Sequence, residues 1–324
     1  MRAGKNRSQS SERLGHFVKT LTILGANGFV GRRLCDAAIS AGHRVRAVAR
    51  RDWETSPGVR KFIHADLGDT EDLFGDSDWA VNCVGRAHVL AKEDPQASMK
   101  AFRSINHDLA IELAAQARMA GVSRYVHISS VAAVRSTTGP GEVIDDETDP
   151  EPDRTYGVSK LEADEALIAE DQEEMTIACL RPPALLGPKP IGFIRKFARA
   201  AAHGVPLPIG GVQNARSFMA VHNLADATLI ALSHGVRGAY IVTDSSPMSI
   251  GTLYRDMLRG AGYGDRALRV PQKFLEIAAA AALGARKDSL LGNAAYDGSR
   301  FAAETGWRPP MSINRAVDEM MATI

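Results

Sequence analysis

The chain has 324 residues, 45% of them hydrophobic and 24% charged, a globular composition long enough for one large domain or two smaller ones. A formal net charge of +1 gives no global pull toward nucleic acid or an anionic membrane. No stretch reaches the roughly 18 apolar residues of a membrane helix, and Cys35, Cys83 and Cys179 stand singly, so neither a disulfide framework nor a metal site is expected.

Residues 1–18 are polar and basic and lack the apolar centre of a secretory signal, so they are predicted as a flexible extension and the cytoplasm as the location by default. From residue 19 short apolar runs alternate with amphipathic stretches. Strands are predicted over 21–24, 45–48, 62–64, 79–84, 125–129 and 177–180, and helices over 29–41 and 99–120. Near-continuous apolar strands alternating with helices imply an α/β fold whose parallel sheet is covered on both faces. Right-handed crossovers make that sheet doubly wound. After Arg181, Pro182, Pro183, Pro188, Pro190, Pro206 and Pro208 break the rhythm and mark a change of subdomain. Helices are predicted over 192–202, 223–233, 250–260, 273–285 and 313–321, and strands over 217–221 and 239–242 that could rejoin the sheet.

Gly25-Ala26-Asn27-Gly28-Phe29-Val30-Gly31 lies between the first strand and the first helix. Glycines there let the backbone turn tightly and bring its N–H groups to a pyrophosphate, with the positive end of the helix behind them. In that context the run predicts a dinucleotide site. The second strand ends in Arg50-Arg51 before the first acid, Asp52. An acid usually accepts from the ribose 2′-hydroxyl of NAD, whereas arginine suits a 2′-phosphate, so NADP(H) is favoured over NAD(H), with NAD(H) left open.

Tyr156-Gly157-Val158-Ser159-Lys160 puts a phenol and an ammonium one helical turn apart, behind Ser129-Ser130 at a strand end. Bringing a phenol from about 10 to near 7 takes roughly 4 kcal/mol. One cation at about 4 Å, in an effective dielectric near 20, supplies roughly that. Tyr156 is therefore expected to be an acid/base acidified by Lys160, and a serine hydroxyl at the strand end can hold the reacting oxygen.

These segments, with Asp66-Leu67 and Tyr125-Val126-His127-Ile128-Ser129-Ser130, resemble the extended short-chain dehydrogenase/reductase family. Arg181-Pro182-Pro183, Gly187-Pro188, Arg216-Ser217-Phe218 and Gly306-Trp307-Arg308-Pro309-Pro310 resemble its NAD-dependent epimerase/dehydratase branch. The resemblance implies a Rossmann domain over 19–182, rejoined by about 217–243, and a substrate domain from 183–216 and 244–324. It implies that Asp66 and Leu67 meet the adenine, and that Val84, Gly85, Arg86 and Pro183 line the cofactor. Tyr156 and Lys160 would be the catalytic pair, both touching cofactor, with Ser130 the catalytic hydroxyl. An added alanine in Val131-Ala132-Ala133 leaves a second register that would place Val131 there. Arg216 resembles an arginine that grips the diphosphate of a nucleotide sugar. Arg86, Ser130, Tyr156 and Arg216 are the expected substrate contacts, and His88 could point at the substrate.

The chain departs from the family at Arg135-Ser136, where a tyrosine is usual, and at Ala184, where many relatives carry asparagine. The run Gly204-Val205-Pro206-Leu207-Pro208-Ile209-Gly210 is similar to bacterial polysaccharide-pathway members acting as UDP-sugar 4-epimerases or 4-keto-reductases. The expected activity is NAD(P)-dependent reduction of a 4-keto nucleotide sugar. 4-Epimerisation and a non-catalytic role as a dinucleotide sensor or assembly subunit are the alternatives. Relatives often dimerise through two helices, and the stretches around 99–120 and 156–169 could serve in a homodimer.

Overall fold

Strand β1 (Thr20–Leu24) is buried at every position, as a strand covered on both faces must be. The computed structural model, which describes residues 18–68, 72–87, 95–171, 173–244, 246–270 and 291–324, builds its sheet outward from β1 in both directions. On one side lie β2 (Arg44–Ala49) and β3 (Val59–Ile63). On the other lie β4 (Trp79–Asn82), β5 (Arg124–Ile128), β6 (Thr176–Arg181) and β9 (Gly238–Ile241). The order is β3-β2-β1-β4-β5-β6-β9, and every pairing is parallel. Register pairs Leu24 with both Val48 and Asn82, so the carboxyl ends of β2, β1 and β4 share one edge. Because the chain winds away from β1 in opposite directions, a crevice opens there.

Successive strand residues face opposite ways. Leu21, Ile23, Val45, Ala47, Val81 and Val126 turn to one side, against Leu34, Cys35 and Ala38 of α1 (Phe29–Ser40). The same core takes in α6 (Val221–His234) and Phe301 of α8 (Ser299–Thr305). Leu24, Val48, Ala80, Tyr125 and Ile177 turn to the other side. They meet Leu113 and Ala117 of α3 (Leu109–Met119) and Leu167 of α4 (Thr155–Ala169). A second core joins Leu186 of β7 (Ala184–Leu186) and Phe218 of β8 (Phe218–Ala220) to α5 (Gly192–Ala202). It continues onto α7 (Ile250–Gly260) and α9 (Ile313–Met321). Each large aliphatic side chain so buried contributes about 1.5–3 kcal/mol.

Three expectations need correction. The strand predicted over 217–221 does not rejoin the large sheet: β8 pairs with β7 in a separate two-stranded sheet, while β9 does pair with β6. The reason is that Phe218 and Ala220 turn into the second core, leaving only Met219 to face the first. The helix predicted over 99–120 is instead α2 (Pro95–Arg103), a π-helical turn over Ser104–Asp108, and α3. The strand predicted over 79–84 stops at Asn82, whose side-chain oxygen accepts from the Val84 N–H (2.8 Å). Strand β7 and helix α8 were not anticipated. The helix predicted over 273–285 and nearly all of the predicted N-terminal extension lie outside the described residues. Among the described residues, no helix is long and apolar enough to cross a membrane.

One buried carboxylate ties a loop to the last strand of the sheet. Asp146 accepts from the Ile241 N–H of β9 (2.6 Å), and burial raises its pKa from 3.8 to about 6. A folded-state pKa above the unfolded one means the ionised form opposes folding. That penalty is full above about 6 and is gone below 3.8. Asp146→Asn should therefore raise the melting temperature above neutrality, and the difference from wild type should close as pH falls through that window. Paired thermal melts across pH check this.

Candidate active site

The glycine turn lies at the crevice. Gly25 has φ +72°, and a side chain there would start 3.0 Å from the Cys83 carbonyl carbon at the end of β4. A Cβ on Gly31 would lie 2.3 Å from the Gly25 oxygen, so α1 can approach the turn only with glycine at that position. Gly28 caps α1 with extended backbone, no side-chain hydrogen bond and no acid in the first turn. By contrast, α7 and α9 are capped by the Ser249 and Ser312 hydroxyls. The amino end of α1 therefore offers N–H groups and positive potential to an anion. Gly28 is exposed, and Asn27, Phe29 and Val30 are half-buried around it.

Arg32 staples this turn to the segment after β2, donating to the Asn27 carbonyl (2.9 Å) and the Glu54 carbonyl (3.2 Å). Asp52 is already engaged, by the Lys61 ammonium (2.6 Å) and the Trp53 N–H (2.8 Å). Arg50 and Arg51 are exposed, and their guanidinium groups have no partner among the described residues. Asp66 is exposed and accepts from the Gly68 N–H (3.0 Å); Leu67 beside it is buried. A glycine cradle that any Cβ would fill, an uncapped helix end and two arginines without partners fit an NAD(P) dinucleotide.

The segment Val84-Gly85-Arg86 is held by a residue the sequence reading missed. Asn106, fully buried on the π turn, accepts from the Arg86 N–H (2.7 Å) and donates to both the Arg86 carbonyl (3.1 Å) and the Ser159 hydroxyl (3.0 Å). Ser159 in turn donates to the Tyr156 carbonyl (2.8 Å). One amide thus ties the β4 loop to α4, which fits the tendency of π turns to occur at functional sites. No sequence signal set it apart, because Ser104, His107 and Asp108 beside it are polar too.

At the end of β5 the two serines part. Ser129 is buried and donates to Asp164 of α4 (2.9 Å), which also accepts from Arg181 Nε (2.8 Å). Ser130 caps a short 3-10 turn, accepting from the Ala132 N–H (3.2 Å), and its hydroxyl lies close enough to the Tyr156 phenol to pull its pKa down. Val131, the residue of the other register, is buried in a small apolar cluster with Val134 and Ile144. Ser130 is therefore the residue of this stretch that meets the tyrosine. Phe102 of α2 packs on the Tyr156 ring at 5.9 Å.

Lys160 is 3% exposed, and a Cβ built on Gly85 would lie 3.9 Å from its Nζ, so it reaches the floor of the crevice. The expectation that its ammonium acidifies Tyr156 is not met. Nζ bonds to His127 Nε2 (3.0 Å) and donates to the Ile128 carbonyl (2.8 Å). Burial raises the Tyr156 pKa, with the Ser130 hydroxyl pulling it down and Asp164 pushing it up. Burial also lowers Lys160 to about 8, against the pull of Asp164. His127, fully buried in β5, was given no role by the sequence reading.

Arg216 lies two residues before β8. It is 8% exposed, pairs through its backbone with Met248 (2.9 Å each way), and donates from Nη1 to the Gly292 carbonyl (2.7 Å). Tyr296 and Arg154, which directly precedes α4, are close enough to act on its charge. Tyr296 also donates to the Arg135 carbonyl (2.8 Å), so a tyrosine from the far end of the chain pins the loop where the sequence lacked one. Pro183 is buried just beyond β6. Arg86 stands over Phe102 at 5.7 Å, and His88 lies outside the described residues.

A doubly wound parallel sheet, a glycine cradle at its switch point and a Ser–Tyr–Lys group at its carboxyl edge define a Rossmann-type oxidoreductase. Residues 21–242 match the NAD-dependent epimerase/dehydratase family, and the chain belongs to it. It is thus an NAD(P)-dependent enzyme of the extended short-chain type. It is 26% identical over 307 residues to a UDP-glucose 4-epimerase of Vibrio cholerae, covering 91% of this chain and 92% of that one. It is 29% identical over 260 residues to a ceramide reductase of Caulobacter vibrioides, covering 78% of this chain and 73% of that one. The fold matches the crystal structure of UDP-N-acetylglucosamine 4-epimerase from Bacillus cereus, with TM-score 0.74 and 18% identity over 94% of this chain and 98% of that one.

Removing the Asn106 amide would leave the Arg86 N–H and the Ser159 hydroxyl without their buried partner. Asn106→Ala should cost about 2 kcal/mol of stability, read as a lower urea midpoint with an unchanged slope.

Proposed function

We propose that the protein is a reductase of 4-keto nucleotide sugars, most simply UDP-linked ones, that uses NADP(H). The observation that carries this reading is the pair Arg50 and Arg51, exposed just past β2 and without a side-chain partner among the described residues, which suits the 2′-phosphate of NADP(H) and so net reduction; the Tyr156 phenol, whose pKa burial raises, agrees with it. An enzyme that must deliver a proton wants its acid protonated at rest, whereas the first step of an oxidation wants phenolate. NADP(H), when bound, supplies the hydride. Arg50 and Arg51 would hold its 2′-phosphate, Asp66 and Leu67 its adenine end, and the turn 25–31 its pyrophosphate. Val84, Gly85, Arg86, Lys160 and Pro183 would line the ribose and nicotinamide side.

Ser130 donates its hydroxyl hydrogen to the substrate carbonyl oxygen, and Tyr156 gives its proton to the oxygen as negative charge develops. Lys160, charged below about 8, carries the positive charge nearest the crevice floor. Arg216, buried and donating from its side chain to a carbonyl alone among the described residues, would pair with the substrate diphosphate at a guanidinium fork. A cavity of about 370 Å³ lined by Gly210, Gly211, Gln213, Ser249, Thr252 and Arg255 begins one residue from Met248, the backbone partner of Arg216. It would give the nucleotide end of the substrate room beside the second core, which would form the substrate-binding domain. The second reading is 4-epimerisation by the same residues, favoured by the similarity to the Vibrio cholerae enzyme along nearly the whole of both chains.

The assay is UDP-4-keto sugar with NADPH, followed by the fall in NADPH absorbance. Turnover should be seen and should drop about 100-fold or more in Tyr156→Phe with cofactor affinity retained. A steady absorbance with interconversion of UDP-hexoses would establish the epimerase instead. Replacing both Arg50 and Arg51 by serine should weaken NADPH about tenfold or more, leaving NADH affinity unchanged. Titrations of the two cofactors check this.

A further inference from the structure

We propose that His127 is a positioning residue for Lys160: a neutral imidazole whose Nε2 lone pair accepts one ammonium hydrogen and holds that cation under Gly85. This rests on the reading of Lys160 as a cofactor contact, and on nothing about the substrate. An ammonium can only donate, so the 3.0 Å contact between Lys160 Nζ and His127 Nε2 requires Nε2 to be unprotonated. The ring proton must then sit on Nδ1, which is buried and has no partner among the described residues. A buried donor left unsatisfied is costly, and here it follows from the need for an acceptor at Nε2.

With the Ile128 carbonyl taking a second hydrogen at 2.8 Å, two of the three ammonium hydrogens are committed to β5. The third is left for the crevice, on whose floor Gly85 leaves room that a side chain would take. Of the titratable groups around Lys160 among the described residues, Tyr156 and Asp164 lie on α4, Cys179 and Arg181 on β6, and Cys83 just past β4. Asp164, Cys179 and Cys83 favour the charged lysine, while Asp164 is itself held by Ser129 and Arg181. Burial keeps His127 far below its usual pKa, so it stays an acceptor across the working range. An aliphatic residue at 127 would leave Lys160 with one acceptor fewer, and its proton would come off at lower pH.

The test uses the full chain and no sugar. NADPH affinity of wild type, His127→Val and His127→Gln is titrated across pH by the quenching of intrinsic fluorescence. Affinity should fall as pH rises through the lysine's titration. The midpoint should move down by about one pH unit in His127→Val and return in His127→Gln, whose side-chain oxygen reaches the place of Nε2. Nitrogen-15 spectra of histidine-labelled protein, with His127 assigned by its loss in the glutamine variant, should show Nδ1 protonated and Nε2 bare without any cofactor. Equal midpoints in wild type and His127→Val, or a protonated Nε2, would overturn the proposal. A failed keto-sugar assay would instead count against the substrate reading and leave this result standing.

Discussion

A positive charge held almost wholly out of water, at Lys160, sets the demands that the surrounding structure meets. Desolvating an ammonium costs several kcal/mol unless nearby groups replace the lost water, and here they come from three elements. His127 and the Ile128 carbonyl stand on β5. Asp164, one turn farther along α4, supplies the compensating negative charge and is itself bonded by Ser129 and by Arg181 of β6. Helix α4 thus presents Ser159, Lys160 and Asp164 as well as apolar residues to the interior. Its position against β5 and β6 is fixed by polar contacts that have no water to fall back on.

The same arrangement explains the chemistry at Tyr156. The lysine commits two of its hydrogen bonds to the strand, and Ser130 is the hydroxyl beside the phenol. Burial raises the pKa of that half-buried phenol, which favours its protonated form. Across the crevice the glycine turn brings α1 against the β4 loop, and that loop is tied to α4 through Asn106. The glycine turn and the helix that carries Tyr156 are therefore braced by one polar chain rather than by two independent walls.

On the other side of the opening, the second core places Arg216. Strand β8 belongs to both halves, with Phe218 and Ala220 facing the small core and Met219 the large one. Residues 293–296 pair with the loop after the serines and with the strand start at Arg216.

The local patterns in the chain were enough for the sheet's strands, the glycine turn and the tyrosine–lysine spacing, because these arise from periodicity and from the steric needs of a few residues. Gly25, Gly31, Tyr156 and Lys160 could be singled out from neighbours in sequence alone. What the lysine faces, which serine meets the phenol and where the strand at Phe218 pairs were decided only by tertiary contact. Asn106 with Ser159, His127 with Lys160 and Tyr296 with the Arg135 loop are contacts between residues 33 to 161 positions apart. A side chain's partner across such a distance depends on how layers pack and on which polar groups lose their water, and no local spacing encodes either.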